Sequence, residues 1–452
     1  MGGSAFSSYL DPPYTPRMPP AVYRRVVTVC HASLRDIFVC VASPIEGPGK
    51  KDYGDVDILV ALEKRTVFPT TDDGSTPRSP HELMTVVQRS LDAKHAIIHP
   101  AGTSAHLAIQ WPSDMDRHVT SPEEKPGGVE AAIDHGASKD KYVQVDIRIC
   151  PSIDELCWIL FKHAHGDIWN LLGSTIRPFG LTVDEEALWL RIPEIEKSDR
   201  KKSKVFLTKD PVEILHFLDM KVEGFWSEPF KSVDALFDYT TTCRLFQVRS
   251  TPEGHAQEDA NEAGVVGGEE GQKRLKANDR RRMASRPVYR SWVNEFIPHL
   301  CAEGKFLSKY PGVSISEMRD MVRNEAFARF LVEADYKARL REWQFKKDSE
   351  QVKSLIKELV PTTMDPQRRA CAVGALKNII MESDASFGFD FAGLRRGDGL
   401  YDTDAVRNFV RDHLDEVTRI AWTRQQQRAQ EAMRSKAARK AKTAQVIQGI
   451  DM

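Results

Sequence analysis

Two aspartates, Asp55 and Asp57, stand one residue apart in the run Gly54-Asp55-Val56-Asp57-Ile58-Leu59-Val60. On an extended strand, side chains two apart share a face, so both carboxylates project together. Carboxylates so close repel each other, and a divalent cation between them is the simplest compensation. A third, Asp146, lies in YVQVDIRIC, Tyr142–Cys150, where the alternation of apolar residues predicts a strand. An aspartate inside a buried strand is costly unless a cation or an arginine meets it. Three carboxylates holding two metals roughly 3.5–4 Å apart suit phosphoryl or nucleotidyl transfer. The alternative for Asp55 and Asp57 is a strand edge at which both face water.

The elements that must position them follow from the hydrophobic pattern. Val22, Val26, Val27, Val29, Cys30 and Leu34 predict a helix over Ala21–Arg35, and IFVCVA at Ile37–Ala42 predicts a short buried strand ending at Ser43. PIEGPGKKDYG is a loop by its Pro and Gly content, and Asp55–Leu62 turns from alternating to continuously apolar, as a central strand does. A helix over Ser79–Leu91 and strands at AIIHP and HLAIQW come next. Residues 112–140 read as a polar, partly disordered insertion. A long helical region is expected over Asp154–Leu172, then a strand pair in GLTVDEEALWLRI and a strand, turn and capped helix in KVFLTKDPVEILHFLDM. The fold class is α+β, with a mixed sheet carrying the three aspartates and helices behind it. The expected divisions are a flexible lead over 1–20, a catalytic domain over 21–173, an α/β extension over 174–248, an acidic then basic linker over 249–287, a helical domain over 288–420 and a basic tail over 421–452.

The chain has 452 residues, 41% hydrophobic and 29% charged, which excludes a wholly disordered or fibrous protein. Lys and Arg number 64 against 65 Asp and Glu, so only local clustering speaks about partners. No apolar run is long enough to span a membrane. The start, MGGSAFSSYLDPPYTPRMPP, has neither a secretory signal nor, with Phe6 where Ser or Thr is needed, a myristoylation motif. Seven scattered cysteines are an odd number and read as reduced thiols, so an intracellular protein of cytoplasm or nucleus is expected.

Ser43, followed at a distance by GDVDILV, resembles the signature of the nucleotidyltransferase superfamily that includes the DNA polymerase beta-like enzymes. The match is residue for residue over Gly54–Val60, and Asp146 falls where those enzymes carry the third carboxylate. The similarity runs on through ILFKHAHGDIWNLLGSTIRPFGLTVDEEALWL to FLTKDPVEILHFLDM, about residues 35–225. It implies a polymerase beta-like palm. It further implies Mg²⁺ or Mn²⁺ held by Asp55, Asp57 and Asp146, and a nucleoside triphosphate met by Ser43, Lys50, Lys51 and Gly54. Gly166, Asp167, Asn170 and Arg177 would line the nucleotide pocket. Ala42-Ser43 replaces the usual Gly-Ser, which removes a glycine from the phosphate turn. The residues ahead of Ile37 are too few for the DNA-gripping helical domains of such polymerases, which argues against templated repair synthesis. The insertion at 112–140 accounts for the long interval between Asp57 and Asp146.

Other residues admit competing roles. Cys150, Cys157, His163 and His165 fit no structural zinc spacing and read as core thiols with a pocket histidine. Thr251–Gln272 is an acidic linker followed at once by Lys273, Arg274, Lys276, Arg280, Arg281, Arg282 and Arg286, which suit either phosphate contact or a solvated hinge. In the tail Arg424, Arg428, Arg434, Lys436, Arg439, Lys440 and Lys442 are offset only by Glu431 and suit RNA or DNA, or else a solvated helix end. Trp343, Tyr289 and Trp292 are expected in cores. The expected activity is transfer of a nucleoside monophosphate to a hydroxyl, best a nucleic-acid end, with an inactive scaffold or a two-metal nuclease as rivals.

Overall fold

A computed structural model of the chain describes residues 3–69, 77–113, 140–248, 277–305 and 312–448, with 277–279 and 439–448 described by backbone alone. Most of the polar insertion, the acidic linker, and Lys273, Arg274 and Lys276 therefore lie outside the described residues, as do the side chains of Arg439, Lys440 and Lys442. The chain divides into two compact units, Met1–Pro193 with Ser203–Val332, and Glu194–Lys202 with Glu333–Met452.

The first unit is built on a mixed sheet of β1 (Phe38–Ala42), β2 (Asp55–Glu63), β3 (His95–Ile98), β4 (Ser104–Gln110) and β5 (Tyr142–Cys150), in the order β1-β2-β5-β4-β3. Only β2 and β5 run parallel. One face of the sheet buries Val56, Ile58 and Val60 of β2 with Val143, Val145 and Ile147 of β5. Against it pack two helices, α1 (Pro20–Arg35) and, beyond the single turn α2 (Lys64–Val67), α3 (Pro80–Ser90). Pro20 opens α1, where a missing N–H costs nothing, and Val22, Val26, Cys30 and Leu34 recur on its buried side. Ser79 and Glu82 close a capping box that starts α3.

The opposite face is covered only in part. Leu59 and Ala61 of β2 and Cys150 of β5 meet Leu156 and Ile159 of α4 (Ile153–His163). Asp57 and Asp55, two and four positions before Leu59 on the same side of β2, lie beyond that cover. The helical region expected over Asp154–Leu172 consists of two helices, α4 and α5 (Ile168–Ile176). His165 (φ 55°) and Gly166 (φ 64°) are both left-handed, which ends a right-handed helix. A second, antiparallel sheet of β6 (Leu181–Val183), β7 (Leu188–Arg191) and β8 (Lys204–Thr208) follows, as the sequence pattern predicts.

The expected boundary at 288 moves to Val332. Tyr289, Trp292, Val293 and Ile297 are buried, and the Trp292 ring lies 5.1 Å from Phe237 and 5.5 Å from Phe246 of the first unit. Helical periodicity reveals a helix but not the core that receives it. The second unit has its own core, including Ile356, Leu376, Ile379, Val406, Val410 and Val417. Its last helix, Thr403–Gln448, is continuous, so no break separates domain from tail at 421, although no described side chain beyond Ala421 is buried. No described helix is long and apolar enough to cross a membrane. Because Trp292 is fully buried, Trp292→Ala is expected to cost about 3–5 kcal/mol of stability. A denaturation midpoint equal to that of the unsubstituted chain would show that this helix does not share the first core.

Candidate active site

Strand pairing assembles the carboxylates. The parallel register sets Asp57 beside Asp146 and Asp55 beside Gln144, with neighbouring strands about 4.8 Å apart. On the other side of β5, antiparallel β4 puts His106 opposite Asp146. All of these side chains therefore share the face of the sheet that α4 leaves uncovered.

Hydrogen bonds hold the group. His106 Nδ1 lies 2.8 Å from Asp146 Oδ1, and Gln144 Nε2 donates to the same oxygen over 2.9 Å. The Gln144 amide is held from its other end, where the Ala5 N–H donates to Oε1 at 3.0 Å. The Gly3 N–H donates to Asp55. His99 Nε2 lies 3.2 Å from His106 Nε2 and extends the chain outward.

Negative charge dominates the site. Desolvation, then the Asp146 carboxylate, raises the pKa of Asp55, while the Gly3 N–H and Lys50 oppose the rise. Desolvation, followed by the charges of Asp55, Asp146 and Glu46, pushes Asp57 up to about 7. Asp57 nevertheless keeps exposed surface, so water screens part of this effect.

The loop between β1 and β2 supplies a fourth carboxylate, Glu46, which no spacing in the sequence singles out. Tyr23 Oη donates to it at 2.7 Å, and burial followed by the Glu46 charge raises the Tyr23 pKa. The Tyr23 and Tyr53 rings stack with centroids 3.9 Å apart. Lys50 pairs with Glu46, stands 5.4 Å over Tyr53 and counters both Asp55 and Asp57. Lys51 is exposed beside it. Gly54 is buried, and its carbonyl lies so near Gly3 that a Cβ there would sit 2.5 Å from it.

The turn between α4 and α5 touches this loop. His165 N–H donates to Ile45 O at 2.7 Å, and Gly47 packs on Gly166. His165 itself points inward, with Nε2 donating to Phe225 O at 2.7 Å, and burial lowers its pKa. Asp167 accepts from Asn170 Nδ2 at 3.0 Å and pairs with Arg286 of the basic cluster at 2.5 Å. Arg286 thus bonds within the chain while its side chain stays half-exposed.

Two expected residues stand elsewhere. Ser43 Oγ bonds His31 Nε2 at 2.9 Å, and His31 belongs to α1, which packs on the opposite face of the sheet. Ser43 follows the last residue of β1, and this bond engages its hydroxyl. Arg177 follows α5 while Asp167 precedes it, which puts them about 15 Å apart along the helix axis. Glu46, Gln144, His106 and the first residues of the chain are not among the residues that the motif spacing singles out. Of these, only Gln144 was legible, two residues before Asp146 on the same face of a strand.

The chemistry of this donor set suits a hard divalent cation, since the surplus of carboxylate oxygens is what Mg²⁺ or Mn²⁺ takes. Among the described residues, no three His, Cys, Asp or Glu side chains already stand in a metal-holding arrangement. The fit therefore rests on donor type and uncompensated charge. No protein-family model matches the chain, and no curated protein matches it.

A raised Asp57 pKa makes its ionised form a burden on the folded state. Its contribution to stability is full below the unfolded value near 4, falls as pH rises, and is gone above about 7. In EDTA, Asp57→Asn is expected to gain in melting temperature over the parent as pH rises from about 4 to 7, level off above that, and lose the gain when Mg²⁺ is added. Parallel pH profiles for the two proteins would refute the crowding.

Proposed function

We propose that the chain is a divalent-cation-dependent nucleotidyltransferase that moves a nucleoside monophosphate from a nucleoside triphosphate to a hydroxyl, best a nucleic-acid end. The observation that carries this reading is the in-register pair Asp57 and Asp146, with Asp55 on the same open face. The polymerase beta-like resemblance of Gly54–Val60 supports it, with an α+β fold compatible with the palm that the resemblance implies.

Asp55, Asp57 and Asp146 would hold Mg²⁺ or Mn²⁺, which when bound supplies positive charge to the triphosphate and acidifies the attacking hydroxyl. The remaining tasks fall to the chain. Asp146 has one oxygen engaged by His106 and Gln144 and offers the other toward the acceptor proton. Lys50 exchanges Glu46 for the outer phosphates, as a point charge suits. The acceptor oxygen bonds the α-phosphorus, the bridging bond to the β-phosphate breaks, and pyrophosphate leaves with the electron pair. The assignment of Ser43 to the phosphates is not part of this reading, because its hydroxyl is bonded to His31.

A non-catalytic nucleotide-binding scaffold is the second reading, favoured by that same Ser43 placement. The two separate in a pyrophosphate-release assay across the ribo- and deoxyribonucleoside triphosphates, with RNA, DNA and tRNA as acceptors. Release is expected, and Asp55→Asn is expected to lower it roughly 10²–10³-fold or more. Nucleotide binding without release from any pair would favour the scaffold, and full activity in Asp55→Asn would remove Asp55 from the mechanism.

The proposed nucleic-acid partner rests on the last helix, where Arg428, Arg434 and Lys436 are surface residues. Arg424 is already held by Ser386 and stacks 4.1 Å over Phe387. If the other six tail cations contact single-strand phosphates, log K against log salt should slope by about −4. Binding that is flat with salt, or unaffected by truncation after Ala421, would refute the tail as the contact.

A further inference from the structure

The first residues of the chain, expected from their Pro, Ser and Gly content to be a flexible or surface-draped lead, form a strap that reaches the carboxylate face. Phe6 is buried within it, and Met18 anchors its far end in the core on the other face of the sheet. Thr15 Oγ donates to Gly3 O at 3.1 Å and closes the segment on itself. Tyr14 pairs with Lys141 beside β5, and Met18 pairs with Tyr53 just before β2, so the strap is fastened to both acidic strands. Prolines at 12, 13, 16 and 19 reduce the entropy that ordering it costs.

Its contacts with the site are made by backbone N–H groups. Gly3 donates to Asp55, and Ala5 donates to Gln144 Oε1. The second bond matters because a Gln amide has one acceptor end and one donor end. With Oε1 occupied by Ala5, Nε2 must face Asp146, to which it donates at 2.9 Å. His106 meets the same Asp146 oxygen from the other side at 2.8 Å. Both donors converge on Oδ1 and leave Oδ2 directed away from them.

We infer that the strap is a positioning element of the site: through Gly3 and through the relay Ala5–Gln144, it orients Asp55 and Asp146 for a divalent cation. This rests on the nucleotidyltransferase reading, in which those carboxylates hold the metal. Hydrogen-bonded partners of ligating carboxylates set ligand orientation, and their loss weakens metal binding by about 10–100-fold. Gly3 is needed for the close approach. Its φ is +86°, and an added Cβ would stand 2.5 Å from the Gly54 carbonyl. Gly3→Ala therefore lifts the start of the strap without altering any carboxylate, whereas Gln144→Leu keeps the volume and removes the relay.

The test is Mn²⁺ binding to the full chain without nucleotide, followed by electron paramagnetic resonance, with amide exchange at Ala5 and the melting temperature in EDTA measured on the same samples. Gly3→Ala and Gln144→Leu are each expected to bind Mn²⁺ roughly 10–100-fold more weakly, with Gly3→Ala also speeding exchange at Ala5. If Gln144→Leu fails to fold, Gly3→Ala alone decides. Unchanged affinity in Gly3→Ala despite faster exchange overturns the inference, and tighter binding overturns it in favour of a strap that obstructs the site. A parent chain that binds no Mn²⁺ removes the metal-dependent reading itself, and this inference with it.

Discussion

The parallel pairing of β2 with β5 in one register places like charges where they repel. Asp57 and Asp146 are directly paired and Asp55 is one pleat away, with Glu46 brought up by the neighbouring loop. The hydrophobic side of the same strands forbids escape. A slip of one residue would turn Val56, Ile58, Val145 and Ile147 to solvent and bury the aspartates. The core thus enforces the crowding, and the raised pKa values of Asp55 and Asp57 are its electrostatic signature.

Most of the polar structure around the sheet answers that repulsion. Backbone amides from the strap reach Asp55 and Gln144, His106 and Gln144 share one oxygen of Asp146, and Lys50 lies between Glu46 and the aspartates. Among the described residues, neutral donors and the half-exposed Lys50 face four carboxylates, and the raised pKa values of Asp55 and Asp57 show that compensation is incomplete. Strain of this kind persists only where surrounding packing over-determines it, and it concentrates where a ligand completes the balance. The proposed divalent cation is such a ligand.

The first core extends well beyond the sheet that carries the site. The His165–Gly166 turn, by ending α4 in left-handed backbone, lets the chain reverse against the Ile45–Gly47 loop and bring Asp167 to Arg286. Trp292 fills the space beside Phe237 and Phe246, which binds the helix of Arg286's successors into the same unit. The site loop is therefore braced by segments far apart in the chain.

What the sequence determined by itself was local. Period-two alternation and continuous apolar runs fixed β2, β4 and β5 to within a residue or two, and the spacing Asp55-x-Asp57 placed two carboxylates on one face, because side-chain direction along a strand depends only on parity. The helix expected over Ser79–Leu91 likewise forms at Pro80–Ser90, where the cap of Ser79 and Glu82 is made by neighbours in the chain. Register, handedness of a turn and choice of core are not local quantities. They decided that Ser43 meets His31, that Arg177 ends a helix length from Asp167, that Trp292 belongs to the first unit, and that a Pro-rich lead becomes a strap on the site. Each depends on which distant segment offers the best burial or the nearest hydrogen-bond partner, and only the folded chain brings those competitors together.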